Sequence, residues 1–291
     1  MKNLILFSVS AIIWGSTWLA IKFQLGLVDP IISVSYRFIL ASFILLLFCR
    51  ISGLNLKYNV KEHLLFALQG FFLFGINYWL VYLAEVHLPS GLVAVIFSMI
   101  IFFNIFNGAI FIGSPIRVRV IAGAALGIVG IGLVFKQELL SFSLSSDNSL
   151  ALVIAGLGAL TASLGNITSV HNQKINLPVI QTNAFGMMYG ALFMLIISLM
   201  MDKHFSFEIS YAYIGSLLYL SIFGSIIAFT CYLTLLGKIG ADKAAYVTLI
   251  IPVIALILST IFEEYTWTLF AFIGVALILI GNMLVLIKVK R

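Results

Sequence analysis

Lys136-Gln137-Glu138-Leu139-Leu140-Ser141-Phe142-Ser143-Leu144-Ser145-Ser146-Asp147-Asn148-Ser149 interrupts an otherwise apolar chain near its midpoint. Five long hydrophobic runs precede this polar middle and five follow it. An odd number of membrane crossings leaves a chain on the side opposite its start. A second copy of the first half would therefore lie upside down in a bilayer. Inverted repeats of this kind hold a binding site between the copies, near the midplane.

Composition agrees that lipid is the solvent. The 291 residues are 63% hydrophobic and 9% charged, against about 25% charged in soluble domains. The two cysteines, Cys49 and Cys231, form neither a disulfide framework nor a metal spacing. Working outward from the polar middle, the runs read as helices are Leu4–Ile21, Ile31–Phe48, Leu64–Leu83, Leu92–Ile112 and Val118–Phe135. After it come Leu150–Val170, Pro178–Met201, Tyr213–Leu236, Ala244–Phe262 and Leu269–Ile287. Each is close to the ~20 residues that cross a ~30 Å hydrocarbon layer. They are too long, and lack the alternation, for membrane strands. The first run has no small-residue cleavage site after it and reads as a span rather than a signal peptide. The expected fold is an all-α integral membrane protein, with ten transmembrane helices in two inverted five-helix repeats. Its units are 1–136, a periplasmic linker 137–149, and 150–291.

The basic residues give an orientation. One side collects Lys2, Arg50, Lys57, Lys61, Arg117, Arg119, Lys174, Lys238, Lys243, Lys288, Lys290 and Arg291. The other holds Lys22, Lys136 and Lys203. By the positive-inside rule both termini face the cytoplasm. The same asymmetry accounts for the net charge of +6 without nucleic acid.

Sliding the chain on itself by 151 residues sets Gly123 on Gly274 and Gly130 on Gly281, while an offset of 148 sets Pro30 on Pro178. Trp14-Gly15-Ser16-Thr17, Arg37-Phe38-Ile39-Leu40-Ala41, Ser90-Gly91-Leu92-Val93-Ala94 and the Glu263-Glu264 ending of the ninth run resemble the EamA-type drug/metabolite transporters. The resemblance covers both halves. It departs from the family pattern at Gly113, where the first repeat usually has a glutamate, and at Ile101, where it often has proline. It implies a ten-helix inner-membrane carrier, mostly of the kind that exports amino acids and other small metabolites.

Polar groups far from span ends need partners or a wet cavity. Asn77, Tyr78 and Tyr82 lie mid-run in the third span, the tyrosines one turn apart on one face. Asn104 stands on the fourth, Trp14 and Thr17 on the first, Asn166 on the sixth, Tyr219 on the eighth and Tyr246 on the ninth. These are the candidate solute-binding residues, against the alternative that amides and hydroxyls only join helices. Arg37, about six residues and ~9 Å into the second span, is either a carboxylate anchor or a structural residue bonded to nearby carbonyls, and its depth also permits snorkelling. Pro252 is a kink or hinge in the ninth span. Gly123-xxx-Gly127 and Gly186-xxx-Gly190 read as close-packing devices, with a weak homodimer contact as the alternative to a monomer.

No Asp or Glu lies near the middle of any span. A mid-membrane carboxylate is the usual holder of a cationic drug or a coupling proton, so cationic drugs are disfavoured. Glu85, Glu263 and Glu264 sit at outer span ends, where they should feel one solution. Glu264 is the coupling candidate if the carrier is proton-driven, and uncoupled exchange is the first expectation. No nucleotide loop, metal spacing or nucleophile–base pair is visible, so no cofactor and no enzymatic activity are expected. The expected partners are a small neutral or zwitterionic solute and the bilayer. A membrane enzyme or lipid-handling scaffold, and proton-coupled drug efflux, are the alternatives.

Overall fold

In the computed structural model, residues 2–113, 116, 118–134, 136, 146–239 and 246–286 are described. Among them all regular structure is helical. In chain order the helices are α1 (Lys2–Lys22), α2 (Pro30–Ile51), α3 (Val60–His87), α4 (Ser90–Ile112) and α5 (Val118–Val134). They continue with α6 (Asp147–Lys174), α7 (Val179–Met200), α8 (Tyr211–Tyr219, Leu220–Ile227 and Ala228–Ile239 end to end), α9 (Tyr246–Phe262) and α10 (Leu269–Leu286). Among the described residues seven helices are long and apolar enough to cross a membrane. Three shorter apolar stretches, Ile121–Val134, Ile250–Phe262 and Leu269–Leu284, fall in α5, α9 and α10. Most of the polar middle, and the boundary expected there, lies outside the described residues.

Local signals start the helices where the apolar runs alone do not. The Asp29 side chain accepts the Ile31 N–H at 3.1 Å, with Pro30 in the first turn where its missing N–H costs nothing. Asn59 and Glu62 form a capping box that begins α3 four residues before its apolar run. Ser146 accepts the Ser149 N–H at 3.2 Å, so the end of the polar middle caps α6. Apolar side chains such as Ile12, Phe43 and Ile196 point outward and are more than half exposed, as lipid-facing positions are when the solvent is hydrocarbon.

Helix packing follows a reciprocal pattern. α2 lies against α7, and α5 against α10. α3 packs on α6 and α7, while α8 packs on α1 and α2; α4 packs on α6, while α9 packs on α1. At the α5–α10 crossing a Cβ on Gly130 would come within 2.6 Å of the Gly274 carbonyl oxygen, and one on Gly281 within 2.5 Å of the Gly123 oxygen. The Gly186 and Gly190 pair meets the backbone of Gly70 on α3, where a Cβ on Gly190 would come within 2.8 Å of the Gly70 oxygen. These small residues let backbones touch, the role expected of them.

Two features were not visible in the sequence. Both α3 and α8 contain a π-helical segment, Gly70–Ile76 and Leu220–Ile227. The left-handed backbone positions also fall in pairs: Gly26 and Asn176, Gly53 and Asp202, Gly113 and Glu264. Both features recur close to the offsets of 148 and 151 residues read from the sequence. Gly113 ends α4 in the left-handed conformation that glycine adopts without penalty, whereas Glu264 adopts it with a side chain.

Candidate functional site

A cavity of about 140 Å3 lies where helices of the two halves meet. Its polar lining includes Trp14 and Thr17 on α1, Asn77 and Tyr78 on α3, Asn104 on α4 and Asn166 on α6. Pro252 and Thr248 of α9 reach the same space. Seven of the sequence candidates are thus brought together. No Asp, Glu, Lys or Arg lines the cavity among the described residues.

The π segment of α8 shapes one wall. The Ala228 N–H, which in an α-helix would donate to the Gly224 oxygen, donates to Phe223 instead. The Gly224 oxygen accepts the indole N–H of Trp14 at 3.1 Å. That bond fixes the Trp14 ring, whose neighbours are Phe229 and Tyr232 at centroid distances of 5.0 and 5.1 Å. The same segment holds Arg37. Arg37 Nε donates to Ser225 Oγ at 3.1 Å, and Ser221 Oγ donates to the Arg37 carbonyl at 3.0 Å.

Arg37 is 1% exposed, so it does not snorkel. Its guanidinium lies 4.4 Å from the Tyr78 ring centroid, on the far side of a residue that lines the cavity. This is a cation–π contact behind the wall. Arg37 Nη1 has no hydrogen-bond partner among the described residues.

The other sequence candidates stand elsewhere. Tyr82 is fully buried beyond the cavity, and its hydroxyl has no partner among the described residues. The Tyr219 hydroxyl is 2.6 Å from Ser16 Oγ, away from the cavity lining. The Tyr246 side chain lies outside the described residues. Glu264 borders a second hollow, of about 550 Å3, with Glu263, Lys136 and His87.

The acidic end differs from its expected exposure. Glu85 is fully buried rather than in contact with solution, and neither carboxyl oxygen has a hydrogen-bond partner among the described residues. Lys22 Nζ donates to the backbone oxygens of Glu85 and Leu88, the latter at 2.7 Å, and lies 3.7 Å from Glu263 Oε1. The Glu263 carboxylate accepts the Ser90 N–H at 3.1 Å and the Ser90 hydroxyl, capping the start of α4. One cluster thereby ties α1, the α3–α4 corner and α9.

Amides also join helices, as the simpler reading of them anticipates. Asn107 Nδ2 donates to Ser163 Oγ at 2.9 Å, and Asn166 Nδ2 to Asn104 Oδ1 at 3.3 Å, both between α4 and α6. Sequence reasoning missed Asn183, Ser98 and Ser169, which line the cavity. The signal for Asn183 was the polar triplet Gln181-Thr182-Asn183, which resembles an ordinary helix start.

Comparisons with known proteins agree in kind. Residues 1–136 and 149–287 match the EamA-like transporter family. The "Uncharacterized inner membrane transporter YedA" of Escherichia coli (strain K12) is 28% identical over 251 residues, 86% of this chain and 79% of that one. The "Probable amino-acid metabolite efflux pump" of the same strain is 24% identical over 289 residues, covering 96% and 93%. "Protein PagO" of Salmonella typhimurium is 23% identical over 283 residues, covering 97% and 92%. A crystal structure of a protein 16% identical superposes with a TM-score of 0.70 over 97% of this chain and 95% of the other, which supports the fold alone. With the match running through both halves, this chain is a membrane transporter of the EamA-like family.

Proposed function

We propose that the protein carries a small neutral or zwitterionic metabolite, an amino acid first among them, across the cell inner membrane by alternating access, in the direction of export. The observation that carries this reading is the central cavity, aromatic and amide-lined, with no charged side chain on its wall among the described residues. A net charge on the solute would meet no opposite charge there. The word amino-acid in the name of one relative points the same way.

The carrier is a ten-span bundle of two inverted repeats, 1–136 and 150–291, joined by a periplasmic linker, with both termini cytoplasmic. A two-fold axis in the membrane plane would exchange α2 with α7 and α5 with α10. It would make Gly130 meet Gly274 while Gly123 meets Gly281, the crossing described above. The paired π segments and paired left-handed residues support the same symmetry. In such carriers one bundle rocks against the other around a fixed site. The Lys22–Glu263–Ser90 cluster is then the latch that closes the outer end, and Pro252, in the cavity wall of α9, is the hinge.

With no acid on the cavity wall among the described residues, transport is solute exchange down the solute's own gradient. Purified protein in liposomes should accumulate a trace of labelled L-amino acid against an excess of the same unlabelled amino acid inside. An imposed pH gradient should leave the direction of net movement unchanged. Absence of counterflow for all the standard L-amino acids would overturn the reading. Uphill accumulation driven by the pH gradient, and lost in Glu264→Gln, would overturn the uncoupled part and make Glu264 the coupling residue.

A further inference from the structure

A chain of three buried side-chain amides ends at the cavity. Asn172 Nδ2 on α6 donates to Gln69 Oε1 on α3 at 2.9 Å, and Gln69 Nε2 donates to Asn183 Oδ1 on α7 at 3.1 Å. Exposures of 1%, 0% and 4% place all three away from bulk water. Gln69 immediately precedes the π segment of α3 and has both ends of its amide engaged. An amide carries one acceptor oxygen and two N–H donors. The relay turns the Asn183 carbonyl toward Gln69, occupying one of its two acceptor sites, and leaves its NH2 group, which makes no hydrogen bond among the described residues, at the cavity that Asn183 lines. Successive amides aligned in one direction polarise one another, which strengthens the terminal donor.

Asn77 presents the opposite character to the same cavity. Its Nδ2 donates to the Leu73 carbonyl at 3.1 Å, while Oδ1 finds no donor among the described residues. The residue is 3% exposed. A buried acceptor without a partner is costly unless a ligand or water supplies the donor.

We propose that Asn183 binds the carboxylate of the solute, held in place by Gln69 and Asn172, and that Asn77 Oδ1 accepts from its ammonium group. This makes the solute an α-amino acid, and it rests on the carrier reading above. Arg37, behind Tyr78, adds a positive potential without touching the solute. Gln69 and Asn172 are positioning residues: they set which end of the Asn183 amide meets the cavity.

The test is counterflow in liposomes with whichever standard L-amino acid exchanges fastest. Asn183→Asp keeps the acceptor for Gln69 and replaces the donor with a repelling oxygen. The half-saturation concentration should rise by at least about tenfold, the loss of about 1.4 kcal/mol of binding, with the maximal rate nearly kept. Gln69→Leu should raise it less, again with the maximal rate kept, whereas a purely structural role would lower the amount of active carrier and leave the half-saturation concentration alone. Without any variant, the decarboxylated amine and the methyl ester of the same amino acid should compete at least about tenfold more weakly than the parent. If wild type exchanges amino acids but these analogues compete as well as the parent, or Asn183→Asp saturates like wild type, the carboxylate assignment is overturned and the carrier reading stands. If wild type exchanges no amino acid, both fall.

Discussion

Tyr78→Ala should lower amino-acid counterflow by at least about tenfold while folded yield falls little. The ring contributes cavity wall, and burial of a large apolar side chain is worth about 1.5–3 kcal/mol, of which a loss of about 1.4 kcal/mol is tenfold. It also separates Arg37 from the cavity. Its removal should let the guanidinium into the site and shift preference toward acidic solutes, because a positive charge in a partly dry cavity favours a net anion. Phe38, whose ring lies 5.5 Å from that of Phe74 on α3, remains to hold α2 against α3, which is why the fold should survive. Competition by L-glutamate against a neutral amino acid, measured in wild type and variant, reads the shift. If Tyr78→Ala and Asn77→Ala both transport normally, while Arg37→Ala abolishes transport without loss of protein, Arg37 is the solute's anchor rather than a structural residue behind the wall.

Glu263→Gln should loosen the latch. The carboxylate holds Lys22 of α1 and the N–H and hydroxyl of Ser90 on α4. Hydrogen bonds to charged groups contribute about 1.5–3 kcal/mol each. Losing the charge should therefore move the balance toward the state open at this end by about tenfold or more. A cysteine at Thr17, in the cavity wall, reports it: its labelling by an impermeant maleimide from outside should accelerate by that factor. Unchanged labelling, with transport unchanged, would mean that the cluster only holds the corner of α3 and α4 together.

Much of the fold was legible because its cause is local. Hydrophobic runs of membrane length do not depend on neighbours, and the Gly186-Gly190 spacing sets two small residues on one helix face whatever helix they meet. What stayed hidden depends on partners. Nothing in Gly70–Ile76 or Leu220–Ile227 announces a π register, yet that register frees the Gly224 carbonyl for Trp14 and positions the serines that hold Arg37. Helical spacing puts Tyr78 and Tyr82 on one face, but it cannot say where along that face the cavity ends, and Tyr82 lies beyond the end. Glu85 stands near a helix end in the sequence, as surface acids do. It is buried all the same in the structure, beside the corner that Lys22 closes. Asn183 was passed over for a related reason: its polar neighbours look like a helix start, and only Gln69, far away in sequence, shows that its amide is aimed.

The central claim is that one cavity is reached from each side of the membrane in turn. The most direct measurement uses Thr17→Cys in a background where Cys49 and Cys231 are serine, labelled by an impermeant maleimide in right-side-out and in inverted membrane vesicles. Lys57→Cys and His204→Cys, at exposed positions on opposite sides of the proposed topology, serve as controls for sidedness. The account predicts that position 57 labels only in inverted vesicles, position 204 only in right-side-out vesicles, and position 17 in both. Labelling of position 17 from one side alone, with both controls behaving as stated, would contradict alternating access through this cavity.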